Sequence, residues 1–325
     1  MNDFFTNIFF MVLVVGGLLI TLSVSVMFIL LMERRVVAFM QDRLGPNRVG
    51  YEGLLQSVAD GFKLMLKETI IPAHVDKLLF FLAPFLVFVP AAMAFAVFPL
   101  SKKLVAVDLN VGLLYLLSLS SIVAMGILLA GWSSNNKFSL LAVIRLVAKN
   151  ISYEIPLVLS TAGVVMITGS LKLSAIIDAQ SHVWFVLLQP VAFVIYFICA
   201  LAEVNRAPFD LVEAESELVG GFHTEYSGFT FALFYLAEYV NMIVVSLLAS
   251  VVFLGGWQGS VLPGFIWLFG KAFFFLFVMI WIRATLYRFR IDQLLSFCWK
   301  WLIPICLVNI ALTGVGITVW QSYFR

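Results

Sequence analysis

The stretch FTFALFYLAEYVNMIVVSLLASVVFL, residues 229–254, decides the class of fold. It contains one charged residue, Glu238, and shows no alternation of polar and apolar positions. About 20 apolar residues are enough for a helix to cross the hydrocarbon core of a bilayer. Because lipid tolerates only helices and closed barrels, and barrel strands alternate, this stretch predicts a transmembrane helix.

The rest of the chain has the same character. Its 325 residues are 63% hydrophobic and 12% charged, with a mean hydropathy of +1.07, whereas soluble domains carry about 25% charged residues. Seven further apolar runs are long enough to cross a bilayer, near residues 8–32, 78–100, 111–132, 151–171, 183–204, 261–282 and 297–320. We therefore expect an all-α integral membrane protein, a single membrane domain over residues 1–325 with about eight transmembrane helices.

The basic residues indicate the orientation in the membrane. Fifteen of the 20 Lys and Arg residues fall in the first, third, fifth and seventh loops, and loops that stay in the cytoplasm carry the excess of positive charge. These loops are predicted to be cytoplasmic, with the N- and C-termini on the opposite, periplasmic side. The first apolar run is too long for a signal peptide and has no basic region before it, so we expect it to be retained.

The sequence offers no site for an electron carrier, and its net charge of +2 gives no reason to expect nucleic acid. The cysteines lack metal-site spacing, the histidines are not paired within spans as two haem ligands would be, and no Gly-rich phosphate loop occurs. The residues concerned are Cys199, Cys298, Cys306, His74, His182 and His223. If the chain takes part in redox chemistry, we expect other subunits to hold the redox groups.

Two cytoplasmic segments read as amphipathic helices. In the loop of residues 33–77, RLGPNRVG predicts a turn, and apolar residues recur at spacings of three and four over residues 53–67. The stretch FSLLAVIRLVAK, residues 138–149, precedes the fourth span and places Arg145 and Lys149 one turn apart. Both segments either pack along the bundle with their basic residues reaching the headgroups or form a ligand portal.

Three acids stand within or at the ends of apolar spans, namely Glu154, Glu203 and Glu238. A charge at mid-bilayer costs about 2.5–3.5 kcal/mol on insertion scales, so such residues are candidates for function. The structural alternatives are a neutral carboxyl or a buried ion pair, for instance between Glu238 and Lys271 of the seventh span.

A cytoplasmic loop, residues 205–228, concentrates further acid in NRAPFDLVEAESELVGGFHTEYSG. Carboxyls this close repel one another, which couples their titrations and suits them to pass protons. The alternative is a solvated acidic loop, but the glycine pair after the acids and the entry directly from a span favour a segment folded back into a cavity. The acids are Asp210, Glu213, Glu215, Glu217 and Glu225.

These strings together resemble the H-subunit family of bacterial proton-translocating NADH:quinone oxidoreductase, respiratory complex I, and its mitochondrial counterpart. The resemblance covers almost the whole chain. It is carried by ERR, RLGPNRVG, ADGFKLMLKE, GWSSNNKFSLLAVIR, ISYE, the acidic loop, ALFYLAEYVNM, LPGFIWLFGKAFFF and RFRIDQL. The chain departs from the family's usual pattern at Lys149, Asn150, Tyr287 and Ile291.

The resemblance implies a subunit of the bacterial inner membrane that joins the peripheral and membrane arms of the complex. It implies a quinone tunnel lined by Arg34, Arg43, Asp60, Lys63, Arg145, Arg206, Asp210 and Arg283. It also implies proton coupling through Glu33, Glu154, Glu203, Glu213, Glu215, Glu217, Glu225 and Glu238, to which we add Lys271. Quinone is the expected substrate and lipid surrounds the chain, while FMN and iron-sulfur clusters are expected in peripheral subunits. Small membrane subunits and antiporter-like subunits are the other expected partners.

Other functions compete with this one. A free-standing proton or cation transporter would also need intramembrane carboxyls, yet no internal repeat relates the two halves of the chain. A passive anchor for a redox complex leaves Glu154 and Glu238 without a purpose. The equivalent subunit of a membrane-bound hydrogenase, or of a quinone dehydrogenase with another electron donor, would share the fold.

Overall fold

The computed structural model describes residues 2–102, 104–211, 219–259 and 262–324. Their helices are α1 (Asn2–Met40), α2 (Gln56–Leu66), α3 (Lys77–Met93), α4 (Gly112–Ser133), α5 (Lys137–Thr168), α6 (Leu173–Ala179), α7 (Phe185–Leu188), α8 (Pro190–Glu203), α9 (Gly228–Phe253), α10 (Gly264–Thr285), α11 (Ile291–Phe297) and α12 (Ile303–Phe324). Short 3-10 turns lie at Tyr51–Gly53, Ala94–Ala96 and Gly221–His223, and a π-helical turn, Cys298–Leu302, joins α11 to α12. Within these residues the only β-structure is an isolated bridge between Ser101 and Leu104.

Seven helices of the described residues are long and apolar enough to cross a membrane, which confirms the all-α membrane class. They are α1, α3 with the turn after it, α4, α5, α9, α10, and α11 continued through the π-helical turn into α12. The helix α9 forms the centre of the bundle. Of its most apolar 18-residue stretch 89% is buried, against 17–44% for the corresponding stretches of the other six helices. It packs mainly against α3, α10, α2 and α1, so Glu238 on α9 is surrounded by protein.

The fifth predicted span is not one helix but two, α7 and α8. The break lies at Gln189, whose φ of −130° and ψ of 55° are not helical. Pro190 begins α8, a position that suits proline because the first amide of a helix has no partner within it. The 14 residues of α8 extend about 21 Å, less than the hydrocarbon thickness of about 30 Å.

Two other helices extend further than the sequence predicted. The amphipathic stretch of residues 138–149 and the fourth span form the single helix α5, because nothing between them breaks the helical backbone. Asn136 begins α5 by accepting a hydrogen bond from the Phe138 amide at 2.9 Å, and Gly169, at φ +66°, ends it. Likewise α1 continues to Met40, so Glu33 and Arg34 are helical rather than in a loop.

A polar contact attaches the last helix to the break between α7 and α8. The Gln189 side chain donates to Thr313 Oγ1 at 2.7 Å and accepts from Asn309 Nδ2 at 2.8 Å. Thr313 and Asn309 lie one turn apart on α12. Because lipid is as apolar as the helix surfaces, such interhelical hydrogen bonds contribute to helix association in membranes.

The helices α3 and α4 approach closely at Gly126. A Cβ atom there would lie 2.7 Å from Val87 Cγ2 and 3.0 Å from the Leu86 carbonyl carbon. We expect Gly126→Ala to destabilise the protein by about 1–3 kcal/mol, because the helices would have to separate. Gly270→Ala on α10, where no atom lies within 4 Å, is the matched control. Thermal unfolding of the detergent-solubilised protein measures the difference, and equal melting of both variants would contradict this packing.

Candidate functional site

Arg206 bridges two buried carboxylates where the segment after α8 meets α1 and α9. Its Nη1 lies 3.5 Å from Glu33 Oε1 and its Nε lies 3.0 Å from Glu238 Oε1. The guanidinium also lies 4.5 Å from the centroid of the Tyr239 ring. The Arg206 side chain is only 4% exposed. A planar guanidinium suits this place because it presents donors in several directions at once.

Two further side chains bind Glu33. Arg283 of α10 pairs with Glu33 Oε1, and the Tyr239 hydroxyl donates to Glu33 Oε2 at 2.8 Å. Buried charges need such partners, since taking a carboxylate out of water costs several kcal/mol. Glu33, Arg206, Glu238, Tyr239 and Arg283 together form what we call the arginine–glutamate cluster.

A basic mouth adjoins this cluster on α1. Arg34, the residue after Glu33, pairs with Asp60 of α2 at 2.5 Å, and Lys63 approaches the same carboxylate at 3.9 Å. Arg34 and Arg43 line an open cavity of about 420 Å³. The mouth therefore consists of Arg34, Arg43, Asp60 and Lys63, and it presents positive charge beside the amphipathic helix α2.

Three small cavities connect the acids of α5, α8 and α9. One of about 30 Å³ lies between Glu203 and Glu238, and one of about 20 Å³ lies between Glu203 and Glu154. A third, also about 20 Å³, is lined by Glu203 and Asn241. A water molecule needs about 10–15 Å³ of such space. Each cavity therefore has room for a water, and Glu203 borders all three.

The Ser121 hydroxyl donates to Glu154 Oε1. This serine lines the cavity that Glu154 shares with Glu203. Glu154, Glu203 and Glu238 thus form a row of carboxyls separated by water-sized spaces, and we call them the acid row. One end of the row reaches the arginine–glutamate cluster through Glu238.

The structure places the remaining predicted residues outside these groups. Asp210 lies 3.6 Å from Arg288 Nη2, and Arg145 is half-buried on α5. Glu225 accepts a hydrogen bond of 2.7 Å from Asn136 at the start of α5. Three predicted acids, Glu213, Glu215 and Glu217, lie outside the described residues.

Lys271 does not meet Glu238, so the ion pair considered as a structural alternative is wrong. Its Nζ donates to the carbonyls of Leu254, Gly256 and Gln258 at 2.6–3.0 Å, beyond the end of α9. Leu254 follows Glu238 by 16 residues, which is about 24 Å along a helix. Glu238 pairs instead with Arg206.

Sequence reasoning did not find Tyr239, Ser121 or Arg288. Tyr239 follows an intramembrane acid directly, and Arg288 stands in the quoted RFRIDQL string, but neither pattern assigns a partner.

Among the described residues, no group of three or more His, Cys, Asp or Glu side chains is placed to hold a metal ion.

His223 lines the cavity between Glu203 and Glu238 and lies against the rings of Phe222, Phe231 and Phe234. Burial lowers the pKa of His223 from near 6.5 to about 3. Between about pH 3 and pH 6.5 this imidazole is therefore neutral in the folded chain and protonated in the unfolded chain. Stability present above about pH 6.5 is lost as the pH falls toward 3, by up to about 1.4 kcal/mol per pH unit.

We expect His223→Phe to reduce the loss of thermal stability between pH 8 and pH 5.5, because the substitution removes this proton linkage. Thermal unfolding of the solubilised protein at both pH values measures the effect. His182→Phe, at an exposed histidine, should retain the wild-type pH dependence. Equal losses in the wild type and His223→Phe would contradict the prediction.

Comparisons with known proteins identify the family of this chain. The family model described as NADH dehydrogenase matches residues 13–314. The chain is 50% identical over 98% of its length to the H subunit of the NADH-quinone oxidoreductase of Dehalococcoides mccartyi strain CBDB1, and covers 89% of that protein. It is 48% identical to the corresponding H subunit of Brevibacillus brevis, with 98% and 96% of the two chains covered. For the H subunit of Carboxydothermus hydrogenoformans the identity is 47%, with 97% and 91% covered. The chain therefore belongs to the NADH dehydrogenase family and, within it, to the H subunits of NADH-quinone oxidoreductases.

Proposed function

We propose that this chain, a membrane subunit of an NADH:quinone oxidoreductase, forms the membrane side of a quinone tunnel and couples quinone reduction to proton translocation. The observation that carries the proposal is the series of ionisable groups that runs from the arginine–glutamate cluster into the acid row, with the basic mouth next to it on α1. Charges among apolar spans are costly, and by default they mark ion or proton pathways.

The mouth has the chemistry that a quinone requires. Quinone carbonyls accept hydrogen bonds, and Arg34 and Arg43 supply donors around one open cavity, while Lys63 lies beside the Asp60 carboxylate that Arg34 binds. Beside them α2 exposes large apolar side chains such as Phe62, Met65 and Leu66, which suit an isoprenoid tail. Asp60 keeps Arg34 and Lys63 together, so we assign it the role of arranging the donors.

The coupling step follows from competition for Arg206. Reduction of a quinone to a quinol consumes two electrons and two protons, and the iron-sulfur clusters expected in partner subunits would supply the electrons. The negative charge of a reduced quinone bound near Arg34 attracts the Arg206 guanidinium, which otherwise pairs with Glu33 and Glu238. A carboxylate that loses a cationic partner in a buried site favours protonation, and Glu238 then takes up a proton.

The acid row gives that proton a path. From Glu238 the water-sized cavities continue to Glu203 and then to Glu154. Glu213, Glu215 and Glu217 follow Asp210 closely in the chain, and we propose that they extend the row. Glu225, the remaining predicted coupling residue, follows these acids in the chain and accepts a hydrogen bond from Asn136 at the start of α5, outside the acid row.

We further propose that the peripheral redox arm, with its FMN and iron-sulfur clusters, docks over the basic mouth. The small membrane subunits and the antiporter-like subunits would then receive protons from the Glu154 end of the row. The excess of Lys and Arg in alternate loops supports a cytoplasmic mouth, and both termini are periplasmic if α7 and α8 together make the eighth crossing.

Replacing Glu238 or Glu154 by Gln tests the coupling. We expect each variant to lower quinone reductase activity and proton pumping together, by about tenfold for Glu238→Gln, because the row loses a protonatable member. NADH oxidation with a soluble artificial acceptor should stay unchanged, since it needs only the peripheral arm. Glu68→Gln, at an exposed carboxyl, is the control. Normal turnover and pumping in both row variants would exclude the scheme.

Replacing Asp60 by Asn tests the mouth. We expect the KM for a short-chain quinone to rise by about three- to tenfold with little change in kcat, as for a group that arranges substrate binding. The exposed Asp292→Asn, at a carboxylate paired with Arg290 on the surface, should leave KM unchanged. A fall in kcat at constant KM would instead place Asp60 in the chemical step.

A further inference from the structure

The segment from Asn205 to Leu211 carries two charged residues of the site, Arg206 and Asp210. Except for turn hydrogen bonds it lacks regular structure, and Asn205 has a left-handed backbone with φ +57°. Its position therefore depends on side chains that reach it from neighbouring helices. Those side chains determine whether Arg206 meets Glu33 and Glu238.

Lys149 of α5 reaches this segment from within the protein. Its side chain is fully buried, and its Nζ donates both to Asn205 Oδ1 and to the Phe209 carbonyl, the latter at 3.4 Å. The two acceptors stand on either side of Arg206 in the chain. The amino group of Lys149 has enough donors to bind both oxygens at once.

A ring contact and a backbone hydrogen bond hold the Phe209 end of the segment. The Tyr153 ring lies 5.4 Å from the Phe209 ring, and its hydroxyl donates to the Leu294 carbonyl. The Phe289 amide donates to the Pro208 carbonyl at 3.2 Å. These contacts fix the Phe209 end, whereas Lys149 also binds the Asn205 end, next to Arg206.

We propose that Lys149 is a positioning residue, whose amino group binds both ends of Asn205–Phe209 and thereby holds Arg206 between Glu33 and Glu238. The inference rests on the proposed function, because its effect on turnover requires that Arg206 acts in coupling. Removing the amino group leaves two buried oxygens without this donor, and the segment moves to satisfy them. Small displacements of a positioned group have large effects on rate.

Lys149→Met in the complete complex tests the proposal. We expect the complex to assemble and the kcat of quinone reduction to fall at least about fivefold, with the KM for quinone nearly unchanged. Lys149→Gln keeps an amide donor and should recover more than half of the lost kcat. Lys137→Met, at an exposed lysine on the same helix, should behave as wild type.

A double-mutant cycle separates positioning from a general effect on packing. Asn205→Gly removes the side-chain acceptor and keeps the left-handed backbone. If the two residues act through one hydrogen bond, Lys149→Met combined with Asn205→Gly loses no more kcat than the more affected single variant. Additive losses, or wild-type kcat in Lys149→Met, would overturn the proposal.

Three outcomes remain to be distinguished. If the complex with Lys149→Met does not assemble, the Lys149→Gln and Asn205→Gly variants test the proposal instead. Wild-type kcat in both of them refutes the positioning role. If Glu238→Gln and Glu154→Gln lower turnover while Lys149→Met does not, only this inference fails. If those two acid variants retain full turnover, the coupling proposal fails whatever the lysine variants show.

Discussion

The rest of the site depends on the guanidinium of Arg206 between Glu33 and Glu238. It connects α1, α9 and the segment after α8 inside the protein, and Arg283 adds α10 through Glu33. Removing one partner of a buried ion pair costs about 3–5 kcal/mol, yet replacing a whole pair by apolar residues is often neutral for stability. The cluster is therefore poorly explained by stability alone, and a change of partner during turnover explains it better.

Two helices fix this cluster relative to its surroundings. On α1, Glu33 belongs to the cluster and Arg34, the next residue, belongs to the mouth. On α9, the most buried helix, Glu238 borders a cavity of the acid row. In the proposed coupling, a change of charge at the mouth would act on the row through adjacent groups, without a large helix movement.

Hydropathy predicted the membrane class and most spans because apolar length is a local property of the chain. It did not predict the break at Gln189, since a proline within an apolar run leaves the hydropathy unchanged. Hydropathy also predicted two helices where the structure has the single helix α5. An amphipathic pattern and an apolar pattern meet within α5, and no helix-breaking residue separates them. The acids Glu154, Glu203 and Glu238 stood out from their apolar neighbours, but their partners did not. The pairing of Glu238 with Arg206 rather than Lys271 depends on how distant helices pack.

The contact between Gln189 and α12 determines how the protein responds to its lipid. Sliding α12 by one turn, about 5.4 Å, would bring Ile305 or Ile317 to the place of Asn309 or Thr313 and break at least one of the two hydrogen bonds to Gln189. The contact with Gln189 thus helps to set the axial register of the last helix, of which only a small part is buried within the described chain. In a thinner or thicker bilayer the mismatch must be taken up by the lipid around α12, or by its tilt, and not by a vertical shift of the helix.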